Sequence, residues 1–176
     1  MALPTVNPAA AFARRLLRGT LATLIALAPC AWASELPFAQ PRPQLYSAGQ
    51  PSAAQLHQAA DAGVRTVIDL RQPEEDRGFD ETAAAERLGL RYVRIPVAGA
   101  AGLTEANARA LHAALENSQG PVLVHCASGN RAGALLALLQ ARQGASLDQA
   151  LEFGRKAGMT SLEPPTRARI EQAGAR

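Results

Sequence analysis

Apolar and polar positions change period along the chain, and the changes mark out its elements. Val64-Arg65-Thr66-Val67-Ile68-Asp69-Leu70 is short and β-branched and follows Gly63, the pattern of a buried strand. Arg91-Tyr92-Val93-Arg94-Ile95-Pro96-Val97 alternates polar with apolar and predicts a second strand, and Pro121 to His125 predicts a third. Helical spacing fills the intervals. Ser52 with Gln55 reads as a capping box opening a helix over Ala53 to Ala62, which stops at Gly63. Glu81 to Leu88 predicts a helix closed by Gly89, and Thr104 opens another that runs to about Glu116. Ala132 to Arg142 is helical, Ser146 with Gln149 caps a further helix, and a last short one follows Pro164-Pro165.

Strands separated by helices predict an α/β fold: a single three-layer domain, its central sheet mostly parallel, with helices on both faces. Ligands of such sheets sit beyond the carboxyl ends of the strands. His125-Cys126, Asp69 to Arg71 and the loop after Val97 are therefore expected to meet at one edge.

The N-terminal stretch changes how composition is read. Arg14, Arg15 and Arg18 precede the apolar run Thr20 to Ala28, which is too short to span a bilayer, and Ala31-Trp32-Ala33 has the small residues of a cleavage site. Residues 1–33 are expected to be a signal peptide, giving a periplasmic or secreted protein with no stable membrane insertion after cleavage. Residues 34–43, rich in proline, read as a flexible arm, and 44–176 as the folded domain. Of 18 Lys and Arg, three lie in the leader, which leaves 15 against 15 Asp and Glu. The mature charge is near zero, so a nucleic-acid surface is not indicated. Cys30 leaves with the leader, and Cys126 remains as a single cysteine that is either buried and inert or reactive.

The stretch Val122-Leu-Val-His-Cys-Ala-Ser-Gly-Asn-Arg-Ala-Gly133 places Cys126 where a strand turns into a helix. Such turns gather unpaired backbone N–H groups, and the helix dipole adds positive potential, so they bind anions. Arg131 adds a fixed cationic fork, and both effects favour thiolate over thiol. Gly129 permits a backbone conformation that a side chain would forbid, while Ala127 and Ser128 let amides approach a ligand. Ser128 and Asn130 are candidates to bond the anion or to hold the loop, and Asn130 also tolerates a left-handed backbone. A thiolate at the base of an anion cradle is a nucleophile facing an oxyanion substrate. Asp69 and Arg71 either orient the loop or pair with each other at the strand end. His57 and His112 have no spaced partners, and no metal site or cofactor is expected.

His125-Cys-Ala-Ser-Gly-Asn-Arg-Ala-Gly133, with the segments Ser47 to Arg71 and Leu88 to Val97, resembles the phosphatase-like domain of beta-lactamase-hydrolase-like proteins. That family is related to cysteine-based dual-specificity phosphatases. The resemblance runs from about Arg42 to Pro165 and implies a dual-specificity-phosphatase-like fold. It also implies Cys126 as nucleophile, Arg131 as oxyanion clamp, His125 tuning the thiolate, and a small anionic or phosphorylated substrate. Three features depart from the phosphatase signature. Four residues, not five, separate Cys126 from Arg131; Ala132 stands where Ser or Thr is usual; and the loop after Val97 lacks the Asp that serves as general acid. Glu74, Glu75, Asp76 and Asp80 are the available substitutes for that acid. The Cys-x4-Arg spacing is similar to the loop of rhodanese-type sulfurtransferases, in which the cysteine carries a persulfide between a sulfur donor and an acceptor thiol. A catalytically silent anion-binding module is the third reading. Arg155-Lys156 is a further candidate rim for anions, within a segment (Gly154 to Pro164) assigned to packing.

Overall fold

The computed structural model describes residues 36–174. The leader expected over 1–33 and the first two residues of the arm lie outside them. Five strands form one sheet in the order β1-β2-β5-β3-β4. These are β1 (Ala39–Arg42), β2 (Leu45–Ala48), β3 (Thr66–Asp69), β4 (Arg91–Arg94) and β5 (Val122–His125). β2, β5, β3 and β4 run parallel, and β1 is antiparallel at the edge. The helices are α1 (Ala53–Asp61), α2 (Glu81–Arg87), α3 (Glu105–Glu116), α4 (Asn130–Arg142), α5 (Leu147–Lys156) and α6 (Glu163–Gly174). This is the α/β architecture expected, with a mostly parallel sheet between two helical layers.

Two cores, one on each face, follow from the alternation of strand side chains. Val67 and Leu123, adjacent in register, pack with Leu56, Ala59, Ala84 and Ala85 of α1 and α2. Ile68 and Val124, one step along, face Leu111, Leu135, Leu136 and Leu151 of α3, α4 and α5. Both cappings read as boxes are present: the Ser52 and Ser146 hydroxyls accept from the Gln55 and Gln149 amides, whose side chains accept from the cap N–H groups in return.

Three expectations change. The arm is not loose throughout, because Ala39–Arg42 pairs with β2 through a hairpin whose two loop residues are Pro43 and Gln44. Gln44 takes a positive φ of 63° there, and Pro41 is tolerated because an edge strand leaves N–H groups unpaired. β4 ends at Arg94 rather than Val97. The ladder goes on only as Ile95 and Val97 N–H bonds to Asp69 and Leu70 carbonyls, since the intervening Pro96 has no N–H to give. The last helix begins at Glu163 and keeps both prolines in its first turn, where their missing donors do no harm.

No helix among the described residues is long and apolar enough to cross a membrane.

Candidate functional site

The carboxyl ends of β2, β3 and β5 bring the expected residues together. β5 delivers His125 and Cys126 to the edge, and α4 starts at Asn130. Only four residues, Cys126 to Gly129, join strand to helix, and the turn is possible because Gly129, the N-cap, lies in the left-handed region at φ 88°. A side chain there would be strained by about 1–2 kcal/mol. The turn folds the Gly129 N–H back onto the Cys126 sulfur at 3.1 Å. Cys126 is fully buried within the core of the α3–α6 face, under the exposed Ala127 and Ser128. Its sulfur nevertheless faces a donor and not only aliphatic neighbours.

The chain after β2 holds the loop from the side. Gln50 N–H donates to Ala127 O at 3.1 Å, Cys126 N–H donates to Ala48 O at 3.3 Å, and Gly49 bridges Ser128. Asn130 holds it from the other side. Its Oδ1 accepts the Thr160 and Leu162 N–H groups at 2.9 and 3.2 Å, and its Nδ2 donates to Ser161 Oγ at 2.7 Å. The Asn130 amide is thus committed to the α5–α6 turn, and the left-handed residue is Gly129, not Asn130.

Arg131 stands in the first turn of α4. Glu75 grips it with both oxygens at 2.6 Å, and its Nη1 donates to Val97 O at 3.1 Å. The Glu75 hydrogen bonds, and the Cys126 sulfur beside the guanidinium, hold Arg131 still more firmly protonated than a free arginine. By the same pairing Arg131 draws the Glu75 carboxyl below its usual range. Glu75, the best placed of the four substitute acids, stays ionised and is a poor proton donor. Asp80 caps α2 through its side chain, and Asp76 accepts from Gly78 N–H.

Under the loop lies a charge network on the α1–α2 face. Asp69 and His125 are adjacent in register, and both are fully buried. Arg71 forks onto Asp69 (Nε–Oδ1 2.9 Å, Nη2–Oδ2 3.0 Å) and also pairs with Glu81. Tyr92 OH donates to Asp69 Oδ2 at 2.8 Å, and Arg77 Nε reaches the same oxygen at 3.1 Å. His125 Nε2 lies 3.0 Å from Glu81 Oε1, a close contact without hydrogen-bond alignment. Burial pushes the Asp69 carboxyl up, but Arg71, His125 and Tyr92 outweigh it and hold it far below the carboxylate range. Glu81 is likewise lowered overall, burial being outweighed by His125 and Arg71. Asp69 and Arg71 therefore take the pairing role, enclosed and out of reach of a substrate.

Atoms of Asp69, Glu81 and His125 come within 4.8 Å of one another, a ligand cluster that spacing in the sequence did not reveal. The protein supplies its own cation there: the Arg71 guanidinium touches both carboxylates. His57 and His112 make only exposed contacts one helical turn away, with Asp61 and Glu116. Arg155 is engaged by Glu152 and Glu163, and Lys156 lies near Glu152. A separate open cavity of about 770 Å³ between α3, α4, α5 and α6 is lined by Leu138, Ala141, Leu147 and Ile170 and includes none of the loop residues.

Arg77, Glu81 and Tyr92 are not marked as parts of a site by their sequence pattern, and Glu75, expected as a substitute acid, is found instead as the partner of Arg131. One signal existed for Glu81. It shares the helical phase of Ala84, Ala85 and Leu88, so it sits on the inward face of α2.

The chain is similar to known proteins in sequence and in fold. Residues 38–143 match the family model "Beta-lactamase hydrolase-like protein, phosphatase-like domain", which starts earlier than the resemblance in sequence and stops before α5. The beta-lactamase hydrolase-like protein of Xylella fastidiosa (strain Temecula1) is 39% identical over 105 residues, covering 57% of this chain and 24% of its own length. The chain spans about a quarter of the curated relatives it matches. A candidate phosphatase from Neisseria meningitidis superposes with a TM-score of 0.66 at 24% identity, over 77% of this chain and 97% of its own. One from Shewanella putrefaciens does so with 0.62 at 28%, over 78% and 88%. The fold is thus that of the dual-specificity-like phosphatases. Together with the match over most of the described residues, this means that the chain belongs to the family of phosphatase-like domains of beta-lactamase hydrolase-like proteins.

Proposed function

We propose that the domain is a phosphatase-like hydrolase in which the Cys126 sulfur is the nucleophile. The observation that carries the reading is the placement of that sulfur at the base of a strand-to-helix turn, bonded by the Gly129 N–H, with a fixed arginine beside it. The amides of the turn and Arg131 would hold a phosphoryl group's oxygens. The thiolate attacks phosphorus, an S–P bond forms, and the bond to the leaving oxygen breaks. Water then attacks the phosphocysteine, and the S–P bond breaks to return thiolate and release phosphate.

With Glu75 bound to Arg131, none of the substitute carboxylates expected from the sequence is assigned as proton donor to the leaving oxygen. The reading therefore favours phosphoryl groups on good leaving groups, such as aryl phosphates or anhydrides, whose oxyanion departs unprotonated. The same observation, with only four residues between Cys126 and Arg131, supports a second reading. In sulfur transfer the thiolate takes a sulfane sulfur from a donor such as thiosulfate and expels sulfite, which also needs no acid.

One measurement separates the readings. Intact protein is incubated separately with an aryl phosphate and with thiosulfate, and the mass of Cys126 is followed. A phosphoryl adduct with release of phosphate supports hydrolysis, and a gain of one sulfur atom supports transfer. Cys126→Ser is expected to lower turnover by about a thousandfold or more. Turnover that survives that change would refute both.

A further inference from the structure

Arg77 lies away from the Cys126 turn, and its guanidinium makes four hydrogen bonds. It is 11% exposed, and its Nε donates to Asp69 Oδ2 at 3.1 Å. Its Nη1 donates to Glu75 O at 2.9 Å and Pro73 O at 3.2 Å, and its Nη2 to Gln72 O at 3.1 Å. The loop from Gln72 to Arg77 is wrapped around one side chain that satisfies three of its carbonyls. It has little else to hold it. No strand or helix includes these residues, and two further bonds, Gln72 N–H to Glu75 Oε1 at 2.6 Å and Glu75 N–H to Gln72 O at 3.2 Å, close it on itself.

That loop carries Glu75, and Glu75 fixes Arg131 with both oxygens. A continuous path thus runs from the buried Asp69 through Arg77 to the loop backbone, then through the Glu75 carboxylate to Arg131. Asp69 is itself pinned by Arg71 and Tyr92. A planar fork with several donors at fixed angles reaches a carboxylate and three carbonyls at once, which a lysine cannot do.

We propose that Arg77 is a positioning residue: it folds the Gln72–Arg77 loop into the one form in which Glu75 aims Arg131 at the space over the Cys126 sulfur. The inference rests on the reading that Arg131 holds the substrate's anion. It deepens that reading by locating what sets the clamp. Arg77 touches no reacting atom. It acts through Glu75, and losing either should free Arg131 in the same way.

The test uses the full chain as wild type, Arg77→Gln, Arg77→Lys, Glu75→Gln and the Arg77→Gln/Glu75→Gln double variant, each first checked for a cooperative melt. Phenylglyoxal labelling of Arg131, mapped by mass spectrometry, reads the clamp without any substrate. Labelling is expected to rise about tenfold in Arg77→Gln and Glu75→Gln, with the double variant within about twofold of the faster single one. Arg77→Lys should not restore protection, and it also serves if Arg77→Gln fails to fold. Affinity for inorganic phosphate, by calorimetry, should fall in parallel. Arg131 labelling unchanged in a folded Arg77 variant would overturn the proposal, as would gains that multiply in the double variant. If wild type binds no phosphate, the anion-cradle reading fails, while the labelling still decides the role of Arg77.

Discussion

His125 and Cys126 are neighbours in the chain and belong to opposite faces of the sheet. Side chains alternate along β5, so His125 drops into the charge network on the α1–α2 side while Cys126 turns to the α3–α6 side. One peptide step separates the sulfur from a buried set of two carboxylates, two guanidiniums, a phenol and an imidazole. Within that set Glu81 compensates Arg71 and also contacts His125. Truncating it leaves both without that partner in a place water cannot reach. Glu81→Ala is expected to cost about 3–5 kcal/mol of unfolding free energy, read from urea denaturation. A loss below about 1 kcal/mol would show that the network contributes no such compensation.

At the scale of elements, the loop is held by how closely α4 and α5 approach. Gly133 of α4 and Gly154 of α5 face each other, and a Cβ on Gly133 would stand 2.5 Å from Gly154 O and closer still to Met159 N. Backbone meets backbone there, so no rotamer change relieves the clash. Gly133→Ala is expected to lose about 2 kcal/mol or more, and because α4 carries Arg131, aryl phosphate turnover should fall with it. Thermal melts and initial rates check both effects. A stable, fully active Gly133→Ala would mean that the two helices can part without disturbing the loop. The hairpin β1–β2 makes the complementary point. Pro43-Gln44 carries no Asn-Gly or Asp-Gly signal, and β2 has only four residues, so neither strand stood out from its own pattern. The pairing of β2 with β5, and of β1 with β2, holds them extended.

For the molecule as a whole, the lowered carboxyls set the response to acid. Asp69, Glu75 and Glu81 are all held below their usual values of 3.8, 4.5 and 4.5. The unfolded chain therefore takes up more protons than the folded one once pH drops into that range. Stability from these groups is present above about pH 4.5 and is lost as pH falls toward their folded values. Melting temperature should hold from pH 7 to about 5 and then fall steadily toward pH 3. In Asp69→Asn, which loses much of the network, the melt should start lower and slope less. An unchanged melting temperature between pH 5 and pH 3 in the unaltered protein would contradict the assignment.

Local pattern was enough to place β3, β4, β5 and all the helices within a few residues, because burial on two faces and end-capping are written in short stretches of chain. It also singled out Cys126, Gly129 and Arg131, because a strand-to-helix turn with those residue types is a local object. Residues far apart in sequence were another matter. That Glu75 would seize Arg131, that Arg77 would hold Glu75's loop, and that Asp69, Glu81 and His125 would share one buried site depended on strand order and on register. Charged side chains in a loop look solvated in sequence, since nothing nearby in the chain tells them apart from a wet surface. Only the folded sheet, by bringing three strand ends and α2 to one edge, turns them into partners.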